Sequence, residues 1–341
     1  MKFVWFTLFA LPALGQSLSF EKLNSNVEVS FRGLDVISRK IAWVSGTGGT
    51  VLKTNDGGNT WENISVPNSS TVDFRDIEVF DKNTAIVMGI SSPARFYKTK
   101  NGGKNWDLVY FNDHKDIFFD GMSFWSKNRG IAFSDPINGK HYLIKTNDGG
   151  ETWQEISSDG IPDKLDVEYG FAASGTGLPV WGNKTAWLGM GGLKSRVFKS
   201  TDGGINWTVV ETPLVHGGQS TGIYSVAFRN RKVGVAVGGD YTDQNISNTM
   251  IYTEDGGETW HLPENKLDEY RECVTHIRGN TFIAVGPTGI DISKDNGKNW
   301  MIENRRIKNL TAIAFPKNSS CLLYTSPSPR DATLSRMPSS A

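Results

Sequence analysis

The chain has 341 residues, with 36 basic and 36 acidic side chains, so its formal net charge is zero. A balanced charge lacks the basic surplus of nucleic-acid-binding proteins, and we expect neither a nucleic-acid partner nor attraction to an anionic membrane. The two cysteines, Cys273 and Cys321, form no C-x-x-C motif, which excludes the common metal and redox signatures. With 38% hydrophobic residues the chain can bury a sizeable core, which we expect to include Cys273.

The first residues have the pattern of a secretory signal peptide. Lys2 precedes an apolar stretch, residues 3–14, and Ala13-Leu14-Gly15 supplies the small residues of a cleavage site. The stretch is shorter than the roughly 20 residues of a spanning helix, and no later segment is longer. We therefore predict a signal peptide over residues 1–15, cleavage near Gly15 and Gln16, and a secreted or periplasmic protein without a membrane span. The alternative is a buried N-terminal strand.

A nine-residue phrase recurs along the chain. Residues 53–61 read KTNDGGNTW, residues 98–106 read KTKNGGKNW, residues 145–153 read KTNDGGETW, and three further copies end at Trp207, Trp260 and Trp300. The six terminal tryptophans lie 40 to 54 residues apart. A period of about forty residues is typical of a four-stranded propeller blade. In the first repeat we predict strands at residues 30–37, 41–45, 50–54 and 61–66.

Turn chemistry explains the phrase. Two glycines between short strands favour a tight hairpin, because glycine adopts positive φ without steric cost. We expect the carboxylate to accept hydrogen bonds from its own turn and the tryptophan to cover the hairpin. The structural positions are Asp56, Asn101, Asp148, Asp202, Asp255 and Asp295. A calcium loop is the alternative, but its D-x-[DN]-x-[DN]-G spacing and final glutamate are missing, and we predict no metal site and no cofactor.

The phrase is that of the Asp-box, also called the bacterial neuraminidase repeat. Further stretches are AFSDPINGK (132–140), FAASGT (171–176), GIYSVAFR (222–229), GVAVGGDY (234–241) and AVGPTGIDISKDNGKNW (284–300). With these stretches, residues 20–315 resemble exported propellers related to photosystem II stability/assembly factors. Members of that group are often labelled "oxidoreductase" or "glycosyl hydrolase" by similarity. The resemblance implies the propeller fold, whereas a fold does not determine a chemistry.

Both ends of the chain contribute to the predicted ring. Residues 309–315 (NLTAIAF) have the pattern of a first strand after the sixth box, and residues 20–24 match strands that follow a box. We therefore predict an all-β, seven-bladed β-propeller whose N-terminal strand completes the last blade, because closure removes open sheet edges. The single domain covers residues 16–323 with an incomplete last blade. Residues 324–341 lack alternation and are interpreted as a non-native tail, or alternatively as a genuine disordered one.

Strand alternation predicts two different ends of each blade. The boxes lie at one end, and the innermost strands start at the other, where long connections at residues 158–170 and 212–221 also lie. Aligning the innermost strands gives equivalent positions to Arg32, Arg75, Asp120, Ala172, Tyr224, Arg271 and Thr311. The ligand-binding candidates are Arg32, Arg75, Arg271, Ser174, His216, Asp240 and Tyr241. Arginines suit a carboxylate or phosphate ligand, and the alternative is that arginines and aspartates of adjacent blades pair with each other in a structural network.

Two functions remain open from the sequence. The first is a monomeric binding or assembly scaffold for a protein or carbohydrate, with an anionic ligand favoured by the arginines. The second is a sialidase-like exo-glycosidase acting on an acidic sugar, with Tyr224 as nucleophile and Asp120 or Asp135 as carboxylate. Phe31-Arg32-Gly33-Leu34 replaces the Phe/Tyr-Arg-Ile-Pro motif of sialidases, which also have six blades and irregularly spaced boxes. Whether the chain is an enzyme is thus open, with the balance against catalysis. An oxidoreductase lacks support because no G-x-G-x-x-G follows a strand.

Overall fold

The computed structural model describes residues 23–265, 267–315 and 323–325. The described residues divide into two compact units, residues 23–118 with those described from 314 onward, and residues 119–313. Within the described residues the regular structure is β-strand, apart from one 3-10 turn at Ser158–Gly160. None of these residues forms a helix long and apolar enough to cross a membrane. The predicted all-β class is confirmed.

The first unit contains two four-stranded antiparallel sheets, each built by one repeat and here called a blade. The first blade consists of β1 (Phe31–Val36), β2 (Ala42–Gly46), β3 (Val51–Thr54) and β4 (Glu62–Asn63). The second consists of β5 (Phe74–Val79), β6 (Ala85–Gly89), β7 (Ala94–Thr99) and β8 (Asp107–Asn112). Neighbours in sequence are neighbours in each sheet. The predicted strands of the first repeat agree within one residue at each end, except that the fourth is only two residues long.

The core of the first unit lies between its two blades. Trp43, Phe74 and Val87 belong to one buried cluster, and the Trp43 ring meets Trp106 edge-on with 6.4 Å between ring centroids. A hydrogen bond of 2.7 Å from Val79 N to Asp35 Oδ2 also joins the two blades. Packing apolar faces of adjacent sheets excludes water from both and is the main stabilising term for such a stack.

The second unit begins with a third blade and continues with a joined sheet. The third blade is β9 (Phe119–Phe124), β10 (Gly130–Ile137), β11 (Lys140–Thr146) and β12 (Gln154–Glu155). The fourth and fifth repeats form one eight-stranded sheet from β13 (Glu168–Tyr169), β14 (Val180–Trp181), β15 (Thr185–Gly192), β16 (Arg196–Ser200), β17 (Thr208–Glu211), β18 (Thr221–Phe228), β19 (Gly234–Asp240) and β20 (Met250–Thr253). The two repeats meet where Gly191 pairs with Gly222, a contact that leaves no room for a Cβ at either residue.

One predicted innermost strand is wrong. In the fourth repeat β14 pairs with the second strand, β15, through Val180 and Trp181. Ala172, which the sequence alignment put on the innermost strand, lies in irregular structure before it. The cause is a connection longer than predicted, since it includes the 3-10 turn and β13 before the blade begins. A long insertion shifts an alignment that relies on apolar pattern alone.

The sixth repeat and the chain ends complete the described strands. The sixth repeat forms a blade of β21 (Cys273–Arg278), β22 (Thr281–Gly286), β23 (Gly289–Ser293) and β24 (Met301–Asn304), followed by a two-stranded sheet of β25 (Ala312–Ala314) and β26 (Leu323–Thr325). Cys273 is fully buried, as expected. The described strands therefore form four separate blades, one joined eight-stranded sheet and one two-stranded sheet. This arrangement does not confirm the predicted count of seven blades.

Several predictions concern residues outside the described part of the chain. The signal peptide, residues 20–22 of the closing strand, and residues 326–341 of the tail all lie there. Of the closing strand, Leu23 is buried against Phe31, Val44 and Leu52 in the first blade.

Candidate functional site

The six Asp-boxes share one hydrogen-bonded turn. In the first, Asp56 Oδ1 accepts hydrogen bonds from Thr60 N at 2.9 Å and from Thr54 Oγ1 at 2.8 Å. The Thr54 hydroxyl in turn accepts one from Gly58 N at 2.8 Å. Equivalent side-chain oxygens accept a backbone N–H four residues on at Asn101, Asp148, Asp202, Asp255 and Asp295. Every box side chain is thus already engaged by its own turn.

The hydrogen bonds explain the acidity of the box carboxylates. Hydrogen bonds from Thr60 lower the pKa of Asp56 to about 2. Burial raises the pKa of Asp148 and of Asp255, but hydrogen bonds from the turn outweigh it and bring both to about 2. A carboxylate that accepts several hydrogen bonds favours its charged form. These groups are ionised anchors and lack the raised pKa of a general acid.

Four innermost strands carry an extra residue near their start. Phe31 pairs with Gly46 and Gly33 with Ser45, so that Arg32 has no residue opposite it on β2. The same interruption falls at Arg75 in β5, Asp120 in β9 and Tyr224 in β18. Such a β-bulge bends the strand and re-aims a side chain, and bulges are common beside functional sites. The sequence-aligned positions therefore share one local geometry but carry unlike side chains.

Glycines on the second strands make room for the bulges. A Cβ at Gly46 would collide with Ser30 O, and one at Gly238 would collide with Gly222 O. In the first two blades the glycine ends the motif A-x-V-x-G, AWVSG in β2 and AIVMG in β6, and only glycine permits so close a backbone approach. The motif is absent from β19, which has Gly238 in VAVGG, and from β10, where Ser134 pairs with Phe119.

The predicted arginines have different surroundings. Arg32 and Arg75 are both half-buried. Arg75 Nε donates to Asp73 Oδ2 at 2.8 Å, and both side chains are partly accessible to solvent. In a half-buried ion pair of this kind, the arginine can leave its aspartate and bind a competing carboxylate, since surface ion pairs contribute little net free energy. These two arginines retain the exposure that a ligand contact requires.

Arg271, in contrast, is fully buried. Its Nε donates to Asp291 Oδ2 at 2.6 Å, its Nη1 donates to Tyr270 O at 2.7 Å and to Thr288 Oγ1 at 2.9 Å, and its Nη2 contacts both Asp291 and Glu269. All five guanidinium N–H groups therefore have partners inside the protein. This arrangement favours the structural alternative for Arg271.

Arg305 completes the cluster around Arg271. Its Nη2 lies 2.7 Å from Asp291 Oδ1 and 3.1 Å from Glu269 Oε2, so that two cations face two carboxylates. Burial raises the pKa of Asp291, whereas Arg271 and Arg305 act in the opposite direction. Glu269 and Arg305 were missed in the sequence, where nothing in their spacing relates them to Arg271.

Tyr224 lies in a buried aromatic cluster. Its ring is 4.5 Å from that of Phe171 and 5.9 Å from that of Tyr270, between ring centroids. Its hydroxyl donates to Ser220 O at 2.6 Å and accepts from Tyr241 N at 2.9 Å. Burial, followed by the charge of Glu272, raises the pKa of Tyr224 well above its usual value. A catalytic nucleophile needs a lowered pKa or an adjacent base, so these surroundings disfavour nucleophilic attack by Tyr224.

The predicted carboxylates meet the long connection before β14. Asp135 Oδ1 accepts a hydrogen bond from Gly170 N at 3.0 Å, and Asp120 lies so close that a Cβ at Gly170 would collide with it. Ser174, from the same connection, donates to Glu272 O at 3.4 Å and shares a hydrogen bond of 2.6 Å with Thr176. These three predicted residues therefore hold the connection against the sheets of the second unit.

The remaining predicted residues lie in the connection between β17 and β18 and at the end of β19. His216 is exposed, and Asp240 Oδ1 accepts hydrogen bonds from Thr242 N at 2.8 Å and Thr242 Oγ1 at 2.6 Å within its own turn. Tyr241 is half-buried and packs against the aromatic cluster. Across the described ranges, no three His, Cys, Asp or Glu side chains are grouped closely enough to hold a metal ion.

Sequence reasoning missed a second buried ionic group. Arg196 donates to Glu168 through Nε at 2.6 Å and Nη2 at 2.5 Å, which ties β13 to β16. His141 Nε2 lies 3.5 Å from Glu168 Oε2. Burial lowers the pKa of His141 to about 4, with Glu168 opposing and Arg196 and Lys164 assisting the shift. This histidine is neutral near pH 7.

The sheets, the boxes and the bulged innermost strands together define an all-β propeller built from Asp-box repeats. The family described as "Photosynthesis system II assembly factor YCF48" has a sequence model that matches residues 13–116, and the model of the BNR/Asp-box repeat matches residues 251–262. The resemblance expected from the sequence is thereby confirmed. A search of curated proteins found no match.

Solved structures agree with this fold. The structure titled "YCF48 bound to D1 peptide" has a TM-score of 0.62 at 16% identity, covering 94% of this chain and 96% of that one. YCF48 from Cyanidioschyzon merolae has a TM-score of 0.56 at 16% identity, covering 94% and 99%. A GH74 xyloglucanase from Xanthomonas campestris reaches only 0.37 at 10% identity, over 83% and 51%, too distant to support a glycosidase. Likeness at such identities establishes the fold alone.

Proposed function

We propose that this chain is a non-catalytic scaffold that binds a segment of a partner protein at the starts of its innermost strands. The observation that carries the proposal is the bulge that recurs in both blades of the first unit, where it holds the half-buried Arg32 and Arg75 at equivalent positions. Two arginines at equivalent positions of neighbouring blades can each pair with a carboxylate of a bound segment.

The likeness to YCF48 supports a protein as the partner. The structure of that relative holds a D1 peptide, and the family model matches the part of this chain that contains Arg32 and Arg75. We infer that those two half-buried arginines meet carboxylates of the bound segment, since guanidinium groups pair with carboxylates through two parallel hydrogen bonds. Arg271 is left out of this contact because its donors are engaged.

The glycosidase alternative has weaker physical support. It needs an accessible tyrosine activated as a nucleophile, whereas Tyr224 is 2% exposed and its hydroxyl is engaged by Ser220 and Tyr241. A sialoside turnover assay decides this point. Turnover that disappears in Tyr224→Phe would establish the enzyme and replace the scaffold proposal.

The proposal also includes the finer predictions on fold and location. We propose seven blades, with residues 20–24 completing the last, and export after cleavage near Gly15 and Gln16. Removing residues 16–24 from the mature chain should lower its melting temperature, because an unpaired last blade exposes a sheet edge. An unchanged melting temperature would exclude that mode of closure.

The binding proposal is tested with a synthetic D1 peptide of the kind held by the relative. Labelled peptide is titrated with the mature chain, and binding is followed by fluorescence anisotropy at low salt. Arg75→Glu should weaken binding by about tenfold or more, because it replaces an attractive pair with a repulsive one. The matched control is Arg95→Glu on β7, two strands from Arg75 in the same blade, where the arginine lies over the Phe111 ring. Equal losses in both variants, or no binding by the unmodified chain, would overturn the proposal.

A further inference from the structure

A polar cavity of about 460 Å³ lies in the second unit, at the end of the blades that carries the boxes. Its lining consists of Asn183, Lys184, Thr185, Lys199, Thr201 and Arg231. Asn183 and Lys184 come from the turn between β14 and β15, and Thr185 is the first residue of β15. Lys199 and Thr201 come from β16 and the fourth box, and Arg231 from the turn between β18 and β19. The cavity therefore lies where the fourth and fifth repeats meet, and its volume is within the range of small-molecule sites.

The lining carries three positive charges and no carboxylate. Lys184 and Arg231 are exposed, and neither side chain makes a hydrogen bond or ion pair with another described residue. Lys199 is largely covered, and its Nζ lies 2.6 Å from Oε1 of Glu258, whose side chain is 61% exposed. The site therefore keeps a surplus of positive charge, which repels itself until an anion enters.

Two glycines with positive φ lie beside two of these cations. Gly182 adopts φ +59°, and a Cβ there would lie 3.3 Å from Arg231 Nη2. Gly256 in the fifth box adopts φ +85°, and a Cβ there would lie 3.4 Å from Lys199 Nζ. The positive φ values are needed for the turns, and the absence of side chains leaves the guanidinium and ammonium groups close to the cavity. Thr185, Thr201 and Asn183 add neutral donors to the same lining.

We propose that this cavity binds a small ligand bearing a phosphate or pyrophosphate group. A compact, multiply charged oxyanion matches a lining of one guanidinium, two ammonium groups and neutral donors, because charge-assisted hydrogen bonds form at all of its oxygens. Such a ligand would bridge the fourth and fifth repeats at the fourth box, through Thr201. The site shares no residue with the bulged strand starts, so peptide binding and oxyanion binding can be tested separately.

The test uses inorganic pyrophosphate and isothermal titration calorimetry at low ionic strength. The unmodified chain should bind it, and Lys184→Gln and Arg231→Gln should each weaken the affinity by about tenfold, the usual effect of losing one charge-assisted hydrogen bond. Glu258→Gln should strengthen binding several-fold, because it releases Lys199 from a competing carboxylate. An increase in affinity cannot result from partial unfolding, so this variant guards against a misfolding artefact.

The controls distinguish binding of pyrophosphate in the cavity from its general attraction to positive charge. Lys140→Gln removes an exposed lysine on β11 outside the cavity and should leave the affinity unchanged. Potassium chloride at matched ionic strength should not compete as pyrophosphate does. The proposal is overturned if millimolar pyrophosphate gives no binding heat, if Lys140→Gln loses as much affinity as Arg231→Gln, or if Glu258→Gln fails to raise it.

Discussion

The two ends of the blades use their polar residues in opposite ways. At the box end, six carboxylate or amide side chains repeat the same hydrogen bonds to their own turns. At the other end, four strand starts repeat one bulge but carry arginine, aspartate or tyrosine. Identical polar residues in every repeat stabilise the fold, because each repeat must form the same turn. Of the varied bulge residues, the half-buried Arg32 and Arg75 are accessible enough for recognition, whereas Asp120 and Tyr224 are buried.

The largest expected loss of stability comes from replacing Arg271, the one predicted ligand arginine that is fully buried. Arg271→Ala leaves Asp291 and Glu269 without their main partner, and removing one member of a buried ion pair costs about 3–5 kcal/mol of unfolding free energy. Urea denaturation of purified protein measures the loss. Arg305→Ala is the matched control, because Arg305 is 25% exposed in the same cluster and should cost clearly less. A loss near zero for Arg271→Ala would return this arginine to the ligand site.

The next largest effect is on the pH dependence of stability. His141 has a pKa of about 4 in the folded chain against 6.5 for a free histidine, so the unfolded chain binds the extra proton between these values. Stability therefore rises as pH increases from about 4 to 6.5 and is lost as pH falls through that window. The contribution is on the order of 3 kcal/mol at 1.36 kcal/mol per pKa unit.

The histidine variants test that assignment. His141→Phe should flatten the pH dependence of the unfolding free energy in that window, because phenylalanine retains the edge-on packing against Phe198 without a titrating group. His216→Gln, at an exposed position, serves as the control and should leave the profile unchanged. An unaltered slope in His141→Phe would show that other groups bind the proton.

A substitution in an Asp-box should lower the unfolding free energy by less than the changes at Arg271 or His141. Asp148→Ala removes the acceptor for Thr152 N and Thr152 Oγ1, and losing such a capping side chain costs about 1–2 kcal/mol. Asp148→Asn should recover much of the loss, since Asn101 forms the equivalent backbone bond in the second box. Thermal melts compare the two variants. If asparagine were no better than alanine, the charge itself would be the stabilising feature of the box.

The sequence predicted the box end better than the other end. Six copies of one phrase determine a turn through local glycine and carboxylate chemistry, which needs no knowledge of distant residues. The acidic partners of Arg271 are Glu269 and Asp291, and the fold brings Asp291 and the second cation, Arg305, into the same cluster. The long connection before β14 displaced the fourth alignment, while the A-x-V-x-G motif marks the bulges of the first two blades only. Local turns can be read from spacing, but pairing across strands requires the fold.

The smallest stability effect, and the sharpest contrast with Arg271, is expected at Arg75. Its pair with Asp73 is half-buried, and such pairs contribute about 0–1 kcal/mol, so Arg75→Ala should change the unfolding free energy by less than about 1 kcal/mol. The same substitution should weaken D1-peptide binding, because it removes the guanidinium group that we propose pairs with a carboxylate of the peptide. Urea denaturation beside Arg95→Ala gives the stability comparison. If Arg75→Ala cost as much as Arg271→Ala, the bulge arginines would be structural throughout, and recognition at the strand starts would have to rest on other residues.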